Sequence, residues 1–302
     1  MVERIVLVTG SRGFIGSSFI EAVSGIRKYK FIYPPYQQMD ITIYSSVEEV
    51  VKEFRPDTII NFAAHRNANT AEEQRNDIDG SAWLTNVIGA RNLAKISDER
   101  GMHLIHISTD MVFSGDEKRR GPYSESATPE NDLSKLSWYG WTKRLGEEEI
   151  RTRLLDASIV RIGNVTKPTL NPNLDYLSKV LWLCDNGMTI FDDQFITLSR
   201  IGHLIEVILE LVERNLGGIF HVASDDIVTP FQLANSLVRE TRPTETSVVG
   251  SSIDDYLKKF PNRYPKFGGL ESQYTQSRLG IISTAWSEAV RDFVLKLYES
   301  KN

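Results

Sequence analysis

Tyr139 and Lys143 stand four residues apart in a stretch with helical patterning, so a phenol and an ammonium share one face of a helix. A phenol in that position can trade a proton with a carbonyl or an alcohol beside it. The cation is expected to stabilise the phenolate and so lower a pKa that is ordinarily about 10, as a general acid or base requires. With 11 tyrosines in the chain a chance Tyr-x-x-x-Lys is common, so position carries the weight. The pair opens a helix that follows a strand ending in Ser108-Thr109-Asp110. Thr109, at the carboxyl end of that strand, is placed to hydrogen-bond the same substrate oxygen as Tyr139, with Ser108 competing for the role.

A second constellation lies at the start of the chain. The apolar run Val6-Leu7-Val8 leads into Gly10, Gly13 and Gly16, and an amphipathic stretch follows. Glycine serves three needs here: a tight strand-to-helix turn, close approach of the backbone to a pyrophosphate, and close helix packing. The phosphates then meet the free N–H groups and positive end of the helix. A dinucleotide held there, and a proton donor beside it, point to nicotinamide-dependent redox chemistry.

The elements that must position these groups follow from periodicity. Short β-branched runs at Ile5–Val8, Phe31–Tyr33, Thr58–Phe62, His103–Ser108 and Ala157–Ile162 alternate with helical patterns over 14–23, Val47–Phe54, Ser81–Arg100 and Tyr139–Leu155. Strands separated by helices pair in parallel through right-handed crossovers, which gives an α/β fold with a doubly wound parallel sheet of the Rossmann type. A helix at Ile201–Glu213 and a strand at Gly218–Ala223 are expected to return to that sheet. Residues 1–163, with 201–224, form the expected dinucleotide-binding domain. The less regular 164–200 and 225–302, carrying Pro168, Pro230, Pro261 and Pro265, form a smaller substrate lobe.

Thr9-Gly10-Ser11-Arg12-Gly13-Phe14-Ile15-Gly16, with Tyr139 and Lys143 about thirty residues past Thr109, resembles the extended branch of the short-chain dehydrogenase/reductase superfamily. The resemblance implies that Gly10, Ser11, Arg12, Gly13, Phe14, Ile15 and Gly16 line the pyrophosphate and adenosine end of the cofactor. Asp40 and Ile41 resemble the pair beside the adenine. Asn61-Phe62-Ala63-Ala64-His65 resembles the segment that passes under the cofactor, which puts Ala63, Ala64 and His65 against it, and Asn86 resembles the helix asparagine that follows. Lys143 is implied to hold the nicotinamide ribose. The second strand ends at Tyr33-Pro34-Pro35 without the acid that would hold the ribose 2′-hydroxyl of NAD, and Arg12 can meet a 2′-phosphate. NADP is therefore favoured, with NAD left open.

Within that superfamily Ile107-Ser-Thr-Asp-Met-Val-Phe-Ser-Gly115, Arg55-Pro-Asp, Pro122-Tyr-Ser-Glu125, Asp192-Asp-Gln194 and Gly217-Gly-Ile-Phe-His resemble dTDP-4-dehydrorhamnose reductases. The implied reaction is reduction of a 4-keto sugar nucleotide, with Tyr139 as general acid and with Ser108, Met111, Asn164 and Gln194 facing the substrate. Met111 stands where those reductases carry Tyr, and Arg161-Ile-Gly-Asn164 is closer to sugar-nucleotide epimerases. A 4-epimerase and a non-catalytic, dinucleotide-binding regulatory subunit therefore stay open. Met111 cannot transfer a proton, which argues against a 4,6-dehydratase. His103 and His106 alternate along one strand and read as packing.

Composition bounds the rest. A chain of 302 residues that is 41% hydrophobic and 25% charged, with net charge −5, has an ordinary globular composition and no basic stripe for nucleic acid. Lys118-Arg119-Arg120 reads as a solvated loop. No apolar stretch approaches the ~20 residues of a membrane span, and no His/Cys/Asp spacing marks a metal site. The single cysteine, Cys184, excludes an internal disulfide and reads as a buried, inert thiol. A cytoplasmic enzyme, as a homodimer by the resemblance, is expected.

Overall fold

The computed structural model describes residues 4–169, 171, 175–242 and 248–299. Its main sheet has six strands: β1 (Arg4–Thr9), β2 (Tyr29–Ile32), β3 (Thr58–Asn61), β4 (His103–Thr109), β5 (Ser158–Ile162) and β6 (Gly218–Val222). They run in the order β2-β1-β3-β4-β5-β6 as one parallel sheet. Val6 lies opposite Phe31 on one side and Thr58 on the other, and Ile60 lies opposite Ile105. Val6, Leu7, Val8, Ile59, Ile60, Leu104 and Ile105 are fully buried, because helices cover both faces of a parallel sheet. Each strand and helix lies within a few residues of the span that periodicity predicts.

The helices that matter for the site are α1 (Phe14–Val23), α2 (Tyr44–Phe54), α3 (Gly89–Arg100) and α4 (Trp138–Arg153). α4 begins where it does because the Ser137 hydroxyl caps it, accepting from Gly140 N at 3.1 Å, while the Glu72 carboxylate takes the otherwise orphaned Trp138 N–H at 2.8 Å. The helix expected over Ser81–Arg100 is continuous, but its second turn, Leu84–Ile88, is wound as a π-turn. One face of the sheet is closed by α2, α3 and α4 through Val47, Val50, Leu93, Ile96 and Ile150.

The chain divides into two compact units. One comprises 1–112, 129–161 and 205–220, and the other 113–128, 162–204 and 221–302. Phe113–Thr128, grouped with the first domain on sequence, clusters with the second unit. Its backbone is tied there by Gly121 N to Phe267 O at 2.8 Å and Tyr123 N to Gly269 O at 3.0 Å. The second unit has a core of its own, in which the helices Tyr176–Asp185, Pro230–Thr241 and Trp286–Glu299 bring together Leu177, Val180, Leu233, Leu237, Val290 and Phe293. Cys184 is half-buried against that core, and burial pushes its thiol pKa up, which keeps it protonated. Among the described residues, no helix is long and apolar enough to cross a membrane and no cluster of three or more His, Cys, Asp or Glu is placed to hold a metal.

Candidate active site

β1 turns into α1 through Gly10, whose φ of +65° only glycine adopts without strain. A Cβ there would lie 2.4 Å from Ala63 N, so this turn packs directly on the chain leaving β3. A Cβ on Gly16 would meet the Gly10 carbonyl oxygen at 2.3 Å, which makes the α1 start a backbone-on-backbone contact. Gly13 is the N-cap residue of α1; it offers no side-chain cap, and no acid sits in the first turn. The first N–H groups of a ten-residue helix are thus presented without a counter-charge, at the point between β1 and β3 where strand order reverses. Those donors suit a pyrophosphate. Ser11, Phe14 and Ile15 are half-buried around the turn and Arg12 is exposed.

Asp40, expected beside the adenine, is an ordered acid. Burial pushes the Asp40 carboxyl up, but hydrogen bonds from Tyr36, the Thr42 hydroxyl and Thr42 N outweigh it and hold its pKa below the usual carboxylate value. Ile41 is buried, and its carbonyl accepts from Asn92 Nδ2 at 2.9 Å. Past β3, His65 N donates to Asn86 Oδ1 at 2.9 Å, while Asn86 Nδ2 donates to His65 O at 3.1 Å and to Thr142 Oγ1 at 3.0 Å. Asn86 is 1% exposed, so its amide is used in tying the loop over 63–65 to α4. The π-turn that carries it widens the helix at Asn86, and such turns are frequent at functional sites. The His65 ring lies between Thr70 Oγ1 and Ser81 Oγ, each at 3.0 Å.

At the carboxyl end of β4 the Thr109 side chain lies near enough to Tyr139 to act on its phenol pKa. Thr109 Oγ1 also lies 3.2 Å from Asp110 Oδ1 and accepts from Met111 N at 3.2 Å. Burial pushes the Tyr139 phenol up to about 12, against a lowering influence of the neighbouring Thr109, with Asp110 raising it further and Arg66 lowering it. This corrects the expectation that Lys143 lowers it. The Lys143 Nζ is turned to the Ile107 carbonyl at 2.7 Å and to His106 Nε2 at 3.0 Å. Lys143 is 1% exposed, and burial drives its own pKa down to about 8, partly countered by Glu147. Asp110, also buried, is pushed up to about 6.

Behind this pair lies a second buried group. Ser108 donates to Glu147 Oε1 at 2.5 Å, and Arg161 closes on the same carboxylate with Nε at 2.9 Å and an Nη at 2.7 Å. The Ser108 hydroxyl is therefore directed at Glu147. Met111 is half-buried beside the Thr109 turn. In the second unit, Asn164 Nδ2 donates to Thr197 O at 3.4 Å and Gln194 Nε2 to Pro265 O at 3.0 Å, so both amides are engaged within that unit.

Sequence reasoning gave no bonding role to Asp110, Asn61, Thr9, Glu147 or Arg161, and took His106 as packing. His106, read as packing, is fully buried but bonded on both ring nitrogens, to Lys143 and to Asn61 Nδ2 at 2.9 Å. A usable signal was its place in the strand, with Asn61 directly opposite it on β3. His103, on the same strand, instead lies 3.0 Å from Ser158 Oγ.

The family model described as the RmlD substrate binding domain matches residues 4–299. The chain is 32% identical over 236 residues to a dTDP-4-keto-6-deoxy-D-glucose reductase from Streptomyces niveus, covering 77% of each chain. It is 28% identical over 291 residues to the spore coat polysaccharide biosynthesis protein SpsK of Bacillus subtilis, covering 96% of each. Among solved structures, dTDP-4-dehydrorhamnose reductase from Bacillus anthracis in complex with NADP superposes with a TM-score of 0.82 at 26% identity, over 98% of this chain and 100% of the other.

Proposed function

Because the chain belongs to the RmlD substrate binding domain family, we propose that it reduces the 4-keto group of a sugar nucleotide at the expense of a reduced nicotinamide dinucleotide. The observation that carries this is the Tyr139 phenol, held protonated by burial at the start of α4 beside Thr109 at the carboxyl end of β4. A phenol held near 12 is protonated throughout the working range, so it can give a proton to an oxygen that gains negative charge. Thr109, itself fixed by Met111 N and Asp110, offers a second contact to the same oxygen.

The residues present fit the dinucleotide. The uncapped start of α1 and the backbone at Gly13 receive its pyrophosphate, Asp40 and Ile41 its adenosine, and Ala63, Ala64 and His65 line its path along β3. Lys143 would hold its nicotinamide ribose by turning from the Ile107 carbonyl and His106, which its amine meets here. When bound, the reduced nicotinamide supplies the hydride; the chain supplies position and the proton. Arg12, exposed in the turn, favours NADP, and the Bacillus anthracis relative was solved with that cofactor. Among the reductases this chain resembles, one acts on a dTDP-4-keto-6-deoxy sugar, which makes that class the first to try.

The test is nicotinamide absorbance with a panel of 4-keto sugar nucleotides, for the native chain and for Tyr139→Phe. Stoichiometric cofactor oxidation that falls by about 10²–10⁴-fold in Tyr139→Phe is expected, the usual worth of a positioned general acid. Full turnover by that variant would sink the role of the phenol. Sugar interconversion without net oxidation would make the chain a 4-epimerase, and dinucleotide binding without turnover on any substrate would make it a non-catalytic subunit.

A further inference from the structure

Lys143 is buried beside a hydrogen-bond chain that begins on β1 and whose proton positions can be worked out. Asn61 Oδ1 accepts from Ala63 N at 3.1 Å and from the Thr9 hydroxyl at 2.6 Å. A backbone N–H can only donate, so the oxygen of the Asn61 amide must face Ala63 and its Nδ2 must face His106. That Nδ2 donates to His106 Nδ1 at 2.9 Å, so Nδ1 carries the lone pair. In a neutral imidazole the proton is then on Nε2, the nitrogen 3.0 Å from Lys143 Nζ. An ammonium has only donors, and two donors facing each other do not bond. The contact is a hydrogen bond when Nζ is an uncharged amine that accepts from Nε2–H while giving one of its own protons to the Ile107 carbonyl at 2.7 Å.

We propose that Asn61 fixes His106 as a donor toward Lys143, and that His106 is a positioning residue which stabilises this lysine as a free amine and so sets its charge. The role of the lysine in reduction rests on the function proposed above; the imidazole–amine bond does not. The surroundings are consistent with it. His106 is fully buried, and burial is the first cause that holds its pKa well below the ordinary value, so the ring is neutral. Burial already lowers the Lys143 ammonium to about 8, and a donor on the imidazole works in the same direction. The other groups around the lysine are accounted for. Glu147, one turn along α4, favours the ammonium, but its carboxylate is shared with Arg161 from β5 and Ser108 from β4. Tyr139, one turn back on α4, is held protonated, and Asp110 bonds Thr109.

The experiment is NMR on the full chain without substrate. Imidazole ¹⁵N shifts of the native protein, assigned to His106 by its replacement, are expected to show a protonated Nε2 and an unprotonated Nδ1. The ¹³Cε resonance of Lys143, assigned by Lys143→Arg, is expected to titrate at or below about pH 8. In His106→Gln the side-chain amide can turn its oxygen to the lysine, and the midpoint is expected to rise by about one pH unit or more. A proton on Nδ1, a charged ring at neutral pH, or a Lys143 midpoint unmoved in His106→Gln overturns the proposal. If that variant does not fold, the native ring shifts decide alone. Neither readout requires turnover, so a chain that proves not to be a reductase leaves this test intact.

Discussion

Two basic side chains sit out of water within the first unit, and they are treated in opposite ways. Arg161, on β5, is 1% exposed and is closed by Glu147 in a two-pronged ion pair, with Ser108 taking up one of the same carboxylate oxygens. Lys143, equally buried on α4, is met by a carbonyl and an imidazole. Paired, a buried charge is structural: its worth depends on both partners being present. Without a carboxylate of its own, a buried lysine shifts its pKa instead, and a group that can change protonation near the working pH is useful to chemistry. α4 carries both, since Glu147 lies one turn beyond Lys143.

The largest expected effect breaks the paired side. Glu147→Gln removes the carboxylate that closes on the buried Arg161 guanidinium, and breaking such a pair typically costs about 3–5 kcal/mol. Chemical denaturation should show that loss, and replacing both residues together (Glu147→Leu with Arg161→Met) should restore most of it. A Glu147→Gln protein with native stability would mean that Arg161 is not held by this pair.

Lys143→Met attacks the other side, and the expected result is the reverse. No opposite charge is stranded, but the Ile107 carbonyl and His106 Nε2 lose a bond, so stability should fall by about 1–3 kcal/mol, less than for Glu147→Gln. Turnover should fall by about 10²–10⁴-fold. A variant that lost stability as Glu147→Gln does, with its activity per folded molecule intact, would erase the distinction between the two cations.

A third cation extends the series to the surface. Arg12 is exposed in the glycine turn, and its proposed use is a single charge-assisted contact to a 2′-phosphate. Arg12→Ser should weaken NADP by about tenfold, or ~1.4 kcal/mol, and leave NAD unchanged. Equal weakening of both cofactors, measured by fluorescence or calorimetric titration, would place Arg12 away from the 2′ position.

How legible these regions were in the sequence differs for a physical reason. The glycine turn announces itself because Gly10 has a backbone angle no other residue holds without strain and Gly16 has no room for a Cβ. Tyr139 and Lys143 share a helix face by simple geometry. The second layer is silent because β4 is covered on both sides: alternation along 103–109 no longer separates core from site, and His106 reads like the apolar residues around it. Glu147 and Arg161 look like surface charges until the fold brings α4 against β5. The direction of the Tyr139 shift was misjudged because a spacing of four residues fixes a shared face but not where Nζ points, and Ile107 and His106 claim it. The π-turn at Leu84–Ile88 keeps the apolar pattern of an ordinary helix, so nothing in the period marks it.

The smallest expected effect concerns Asp110, a buried acid that sits beside the Tyr139–Thr109 pair. Burial raises its pKa to about 6, above the unfolded value of about 3.9. Between those two values the folded chain binds more protons than the unfolded one, so this carboxyl makes stability fall as pH rises from about 4 to about 6. Below that window both states are protonated and the carboxyl makes no difference; above it the penalty is complete. Asp110→Asn keeps an acceptor for Thr109 and removes the charge, so it should match the native protein near pH 4 and exceed it at pH 7 by on the order of 1 kcal/mol. His103, lowered to about 4, and His106 act in the opposite sense over an overlapping window, because the unfolded chain protonates them first. The difference between the two denaturation profiles cancels those histidines and isolates Asp110. A gap that did not open between pH 4 and 6 would mean the carboxyl is ionised at little cost, and that Tyr139 shares its site with a standing negative charge.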